Sequence, residues 1–167
     1  MRTHGEFRIR VKKDYTVFSS AHFITFAGHR CESLHGHNYR VGVALDGAID
    51  EDGWYVLDFS LVKRLMRQLC DEIDHKVLLP LENPKLGIVT RDQTVSVDYE
   101  GALRYVFPAR DCALLPIPNT TVEMLARHLA TRFLTELGAG TVAHLTAIEM
   151  EVEESFGQSA TYRGTLG

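Results

Sequence analysis

Apolar and polar positions change period along the chain. Residues 6–24 alternate in two runs, Phe7-Ile9-Val11 and then Thr16-Phe18-Ser20-His22-Ile24, separated by Lys12-Lys13-Asp14. A period of two predicts strand. Residues 24–34 hold Gly28 and several polar groups and read as a loop. Alternation resumes over 35–46, where His35, His37, Tyr39, Val41, Val43 and Leu45 share one side. The stretch "DGAIDEDGW" then reads as a turn. Over 58–73 the period becomes helical, with Phe59, Val62, Leu65, Met66, Leu69 and Ile73 on one face and Asp58 or Ser60 as cap. A second helix fits 121–137, opened by a Thr120/Glu123 capping-box pattern and stopped at Gly138. Residues 144–154 alternate, Ile148, Met150 and Val152 against Glu149, Glu151 and Glu153, and 158–164 suit a return strand.

The order is strand, strand, helix, helix, strand, strand. It predicts an α+β fold, an antiparallel sheet with helices on one face. Residues 81–117 fit this scheme least. "VSVDYEGALRYVF" suits an extra hairpin, and Pro108, Pro116 and Pro118 break up the chain beyond it. So long a segment is expected to hold local structure.

A chain of 167 residues suits one domain, 1–167. The formal net charge of -4, without a basic block, gives no nucleic-acid or anionic-membrane surface. No signal-type apolar run or membrane-length span is present. Three cysteines, Cys31, Cys70 and Cys112, are too few and too scattered for a disulfide framework, which points to a reducing compartment, the cytoplasm.

The chemistry concentrates in "CESLHGHNYRV", residues 31–41. In a strand, residues two apart face one side with Cα atoms about 6.6 Å apart. His35 and His37 can therefore converge on one ion, in register with the inward residues Tyr39, Val41 and Val43. A solvated strand end or a hydrogen-bonded pair of histidines would look the same. His22, at the end of "FSSAHF", comes opposite the pair in an antiparallel hairpin. Three imidazoles without a fourth protein ligand make an open site, and imidazole-only ligation leans to Zn2+. His4, His29, His128 and His144 lack such an arrangement. Cys31 lies in a polar loop near His29 and Arg30, where a bound cation would lower its pKa and suit it to act as a base. Cys70 reads as apolar filler.

The ordered stretches "FSSAHF", "GHRCESLHGHNYRV", "GWYVLDFSLVK", "EIDHKVL", "NTTVEMLA" and "VEESFGQSATYRG" resemble the 6-pyruvoyl-tetrahydropterin synthase and 6-carboxytetrahydropterin synthase family. The "GH-x-C" opening and "YRG" ending look closer to the bacterial 6-carboxy enzymes. The resemblance implies the tunnelling fold, a four-stranded antiparallel sheet with two helices on one face, in trimers that usually pair into hexamers with active sites between subunits. It implies 7,8-dihydroneopterin triphosphate as substrate, His22, His35 and His37 as zinc ligands, Cys31 as base, Asp74 and His75 as a second acid/base pair, and Glu154 as pterin anchor. Glu154 extends the apolar parity of Ile148, Met150 and Val152, and a carboxylate there needs donors. The pterin's N–H edge offers them. Without the family pattern, His75 and Lys76 would read as compensating a helix dipole.

The expected product is 6-carboxy-5,6,7,8-tetrahydropterin, with loss of acetaldehyde and triphosphate, as in queuosine biosynthesis. Triphosphate elimination alone, to the 6-pyruvoyl product, is the alternative. Residues 81–117 depart from the bacterial relatives as an insertion between the helices. Its Arg91, Arg104 and Arg110 read as surface charge before triphosphate contacts. Two rivals belong to other classes. One is a non-catalytic zinc-containing pterin or purine binder, and the other a zinc hydrolase with Glu32 as its carboxylate base.

Overall fold

The computed structural model describes residues 5–50 and 52–167. His4 falls outside them. The described residues form β1 (Phe7–His22), β2 (Thr25–Phe26), β3 (Arg30–Cys31), β4 (His35–Gly47), α1 (Phe59–Ile73), β5 (Lys76–Pro80), β6 (Leu86–Arg91), β7 (Thr94–Tyr99), β8 (Ala102–Pro108), β9 (Cys112–Leu115), α2 (Val122–Leu137), α3 (Ala139–Val142), β10 (Leu145–Glu154) and β11 (Ser159–Thr165). The fold is α+β, as the periodicities predict. Its main sheet has six strands, in the order β11-β10-β4-β1-β5-β9. The four strands read from alternation form an antiparallel block, and β5 and β9 extend it in parallel. Those two are short apolar runs bounded by turns, and a period of two does not reveal such strands.

The two runs expected in residues 6–24 belong to one strand with a bulge. Lys12 pairs with Gly42 and Val17 with Arg40, so four residues of β1 stand against Val41 alone. Three extra residues are an odd number, and side chains in a strand alternate faces. The inward parity therefore changes from odd at Ile9 and Val11 to even at Thr16, Phe18, Ser20 and His22. Thr16 holds the bulge: its hydroxyl lies 2.8 Å from both the Val41 and Lys13 carbonyls and accepts from the Lys13 N–H at 3.2 Å.

Asp58 caps α1, accepting from the Ser60 N–H at 2.7 Å. The cap of α2 is Thr121, which accepts from the Met124 N–H; the Thr120/Glu123 box does not form. Thr120 is drawn inward, donating its hydroxyl to the Phe23 carbonyl at 2.9 Å. Gly138 ends α2 at φ +80°, a conformation that a Cβ disfavours. Both long helices bury their apolar stripes against one sheet face, where Val62, Leu65, Leu125 and Phe133 meet Val43, Leu45, Ile148 and Met150. Each such fully buried side chain contributes about 1.5–3 kcal/mol.

Residues 81–117 hold more than a hairpin. β6, β7 and β8 form a three-stranded antiparallel meander, and β9 returns to the main sheet. The meander buries a second cluster around Phe23, Leu79, Val95 and Val97, against which Cys31 and Leu34 pack. It thus lies against the loop that leads into β4. No described helix is long and apolar enough to cross a membrane.

Candidate metal centre and substrate site

β1 and β4 place His22 opposite His35 and Ser20 opposite His37. With the bulge setting the parity, the three rings meet on the inward side, with centroids 4.7 Å (His22–His35), 5.3 Å (His22–His37) and 4.9 Å (His35–His37) apart. One ring nitrogen of each lies within 4.8 Å of those of the other two. The opposite nitrogens are all held. His22 Nδ1 lies 2.9 Å from the Thr120 carbonyl, His35 Nδ1 2.9 Å from the Ser33 carbonyl, and His37 Nδ1 2.9 Å from the Ser155 hydroxyl. A carbonyl only accepts, so Nδ1 of His22 and of His35 carries the proton and Nε2 presents its lone pair. His22 is fully buried, and its Nε2 has no hydrogen-bond partner among the described residues. Burial pushes the His22 pKa down, which keeps the ring neutral as ligation requires. An orphaned buried nitrogen, a set of lone pairs facing one point and fixed Nδ1 groups are what a metal ion needs. These residues can hold one metal ion.

Glu154 ends β10 on the inward parity. Its Oε1 accepts from the Tyr39 hydroxyl at 3.1 Å and lies 3.3 Å from His22 Nε2 and 3.7 Å from His37 Nε2. Tyr39 is buried and stacks on Phe18, with centroids 4.5 Å apart. Burial and the Glu154 carboxylate push its hydroxyl far above the ordinary value, so it remains a donor that orients Glu154. Glu149, Glu151 and Glu153 face the other way and pair with Arg8, Lys12 and Arg163 across the sheet.

The side chains of Cys31 and Glu32 turn to different neighbours. The Cys31 thiol is turned toward the meander side, 3.6 Å from the Glu32 carbonyl. Burial pushes its pKa up and Glu32 adds to the rise, while the cation of the chain that opposes it is Arg104, not His29 or Arg30; a bound metal ion would act in the same direction as Arg104. His29 instead pairs with Glu100, and Arg30 covers the Phe26 ring. The Glu32 carboxylate reaches toward the centre, with Oε2 3.9 Å from His35 Nε2 and 3.3 Å from the Ile24 N–H. Cys70 is core filler, its thiol pushed up to about 12 by burial.

Asp74 and His75 form a pair, Oδ2 to Nδ1 2.8 Å. Asp74 Oδ1 accepts from the Ser19 N–H at 2.8 Å, and the His75 N–H donates to the Ser19 carbonyl at 2.7 Å. Burial raises the Asp74 pKa, but these hydrogen bonds and His75 outweigh it and hold the carboxyl below its ordinary range. The His75 ring is 82% exposed and opens onto a cleft with Ser19, Ala21 and Asn38, the outward positions of β1 and β4. Within one chain the pair does not join the histidine centre. His75 and Lys76 directly follow Asp74, the C-cap of α1, so the dipole reading of this turn stands beside the pair.

The sequence reading left three contributors unnamed. Tyr39 was visible as the next inward residue after His37, and Ser155 comes directly after Glu154. Thr120 acts through its carbonyl from 98 residues away, which no local pattern shows.

A sheet backed by two helices, with three histidines facing one point at the strand ends, defines an α+β protein with a group that could hold a metal ion beside a carboxylate. The family model described as 6-pyruvoyl tetrahydropterin synthase matches residues 10–165, and the chain belongs to that family. A Methanocaldococcus jannaschii protein, provisionally named 6-carboxy-5,6,7,8-tetrahydropterin synthase, is 39% identical over 149 residues, 89% of this chain and 90% of its own. The crystal structure of Plasmodium vivax 6-pyruvoyl tetrahydropterin synthase superposes with a TM-score of 0.89 at 32% identity, over 97% of this chain and 99% of that one. A form of that enzyme in which a catalytic glutamate is replaced by alanine matches equally, with a TM-score of 0.89 at 31% identity and the same coverage. Coverage that high includes most of residues 81–117, so the meander has a counterpart in the Plasmodium enzyme.

Proposed function

We propose that this chain is a zinc-dependent pterin synthase acting on 7,8-dihydroneopterin triphosphate and one water, and releasing 6-carboxy-5,6,7,8-tetrahydropterin, acetaldehyde and triphosphate. The observation that carries this reading is the convergence of His22, His35 and His37 with their Nδ1 groups engaged. The names of its relatives supply the tetrahydropterin class of product, and the family resemblance supplies the substrate. Zinc bound there supplies a Lewis acid that lowers the pKa of side-chain hydroxyls and stabilises developing oxyanion charge. Glu154, oriented by Tyr39, accepts the paired N–H groups of the pterin ring. Either Cys31 or Glu32 takes the side-chain proton. Glu32 gains weight from its reach toward His35 and from the catalytic glutamate of the Plasmodium relative. Asp74-His75 handles the opposite proton movement. Its exposure on the far side of β1 fits service to the site of a neighbouring subunit, in the trimer or hexamer that the family resemblance implies.

The test is to incubate the purified, zinc-loaded protein with dihydroneopterin triphosphate and weigh the products. The 6-carboxy mass with acetaldehyde is expected. The 6-pyruvoyl mass would assign the alternative reaction, and unchanged substrate with zinc still bound would assign a non-catalytic binder. Cys31→Ala and Glu32→Gln, assayed side by side with zinc content measured, identify the base. The variant that loses turnover and keeps zinc marks it.

A further inference from the structure

Arg104 reads from sequence as surface charge before a phosphate contact, and the structure engages it with the chain itself. From β8 its Nη2 donates to the Glu32 carbonyl at 2.8 Å and to the Cys31 carbonyl at 3.4 Å. Its guanidinium centre lies 5.4 Å from the Tyr105 ring centre and 5.9 Å from that of Tyr99. These contacts suit a flat, weakly hydrated cation. The neighbouring Tyr105 hydroxyl accepts from the Leu34 N–H at 3.1 Å. The segment from Cys31 to Leu34 is thus tied to the meander at two points, one residue short of the metal ligand His35. It is also tied to the sheet side, where the Glu32 N–H donates to the Ile24 carbonyl at 2.9 Å.

We propose that Arg104 is a positioning residue: by holding the carbonyls of Cys31 and Glu32 it sets where the base-bearing segment stands against the three histidines. This deepens the pterin-synthase reading and rests on it for its kinetic consequence. A carbonyl cannot turn without its peptide plane, so fixing two consecutive carbonyls restricts the backbone that aims both side chains. A catalytic group displaced by about 1 Å loses on the order of 100-fold in rate. The guanidinium does this with charge-assisted hydrogen bonds inside a partly buried pocket, where a neutral donor would hold less firmly. It is also the cation that offsets burial at the Cys31 thiol. The meander therefore has a role that the sheet and helices do not provide: it is the platform on which the base is mounted.

The experiment compares wild type, Arg104→Gln and Arg104→Lys. Arg104→Gln should lower kcat about 10- to 100-fold. KM should stay within about twofold, and bound metal should stay at the wild-type level. Arg104→Lys should recover part of that loss, because an ammonium can still reach one carbonyl. Combined with the variant that removes the working base, Cys31→Ala or Glu32→Gln, Arg104→Gln should add no further loss, since a residue acting through the base has nothing left to position. Hydrogen exchange should quicken in the peptide covering residues 30–36 and not in α1 or α2. The exchange measurement needs no turnover. If wild type proves inactive, the functional reading fails while exchange still decides whether Arg104 holds the segment. Wild-type kcat with unchanged exchange over 30–36 overturns the proposal. So do losses that multiply in the double variant, or exchange that rises uniformly across the chain.

Discussion

Along β4 the inward positions run His35, His37, Tyr39, Val41, Val43 and Leu45. The same face of β10 runs Ile148, Met150, Val152 and then Glu154. At one end of this face α1 and α2 cover the sheet, and the inward side chains of β4 and β10 are apolar and buried. At the other end the inward positions carry imidazoles, a phenol and a carboxylate, and the rings of His35 and His37 are only partly buried. A single rule, alternation about the sheet, builds both ends. What differs is the partner. Where helices supply apolar contacts the face becomes core, and where they end it becomes a cup of ligand atoms that satisfy one another only in part.

Four substitutions and one titration test that contrast. The largest effect is expected at the polar end. His37→Ala should reduce bound metal from about one ion per chain to almost none, measured by elemental analysis. Turnover should fall by about 10^3-fold or more, the scale of losing preorganised charge stabilisation, with little change in melting temperature beyond loss of the metal's own contribution. At the apolar end the pattern should reverse. Phe133→Ala should cost about 3–5 kcal/mol and lower the melting temperature by roughly 10 °C, while metal per folded chain stays constant. Should Phe133→Ala strip the metal selectively, the two ends are not separable.

Ser155→Ala removes the partner of His37 Nδ1, the only one of the three supplied by a side chain. It should weaken metal binding about 10-fold or more by competition with a chelating dye, with the fold intact. Thr16→Val breaks the hydrogen bonds inside the β1 bulge. It should cost about 1 kcal/mol by denaturant unfolding and should lower metal affinity as well, because the bulge decides which side His22 faces.

The smallest effect is a pH dependence in protein stripped of metal by a chelator. Burial, the leading cause for both, holds His22 and His128 below the ordinary histidine value near 6.5. The unfolded chain then binds more protons than the folded one, so stability falls as pH drops below about 6.5 toward the depressed values. The melting temperature should decline between pH 7 and pH 5.5, and His128→Gln should flatten the decline. An unchanged slope would exclude His128 as a source.

Much of the site was legible in the sequence. The His35/His37 spacing, the position of His22 and the parity of Glu154 all come from a period of two, and the structure brings the three histidines together with Glu154 beside His22 and His37. The helices were legible to within a residue at their starts, apart from the α2 cap, where Thr120 was expected and Thr121 serves. Asp74-His75 was legible as a pair, but its face was not. The burial of Cys31 under the meander was not legible, because it depends on residues such as Val95 and Val97, far along the chain. The same holds for Arg104, which nothing in its neighbourhood of sequence distinguishes from Arg91 or Arg110.

The sequence by itself determined the period of each element, which residues share a side, and the local spacing of the ligands, because these depend only on backbone geometry over a few residues. The tertiary structure alone decided the three-residue bulge that turns His22 inward, the Thr120 carbonyl that fixes its tautomer, and the grip of Arg104 on the Cys31 and Glu32 carbonyls. Register, burial and hydrogen-bond partners depend on chain segments far apart in sequence, and only the packed fold brings them to one place.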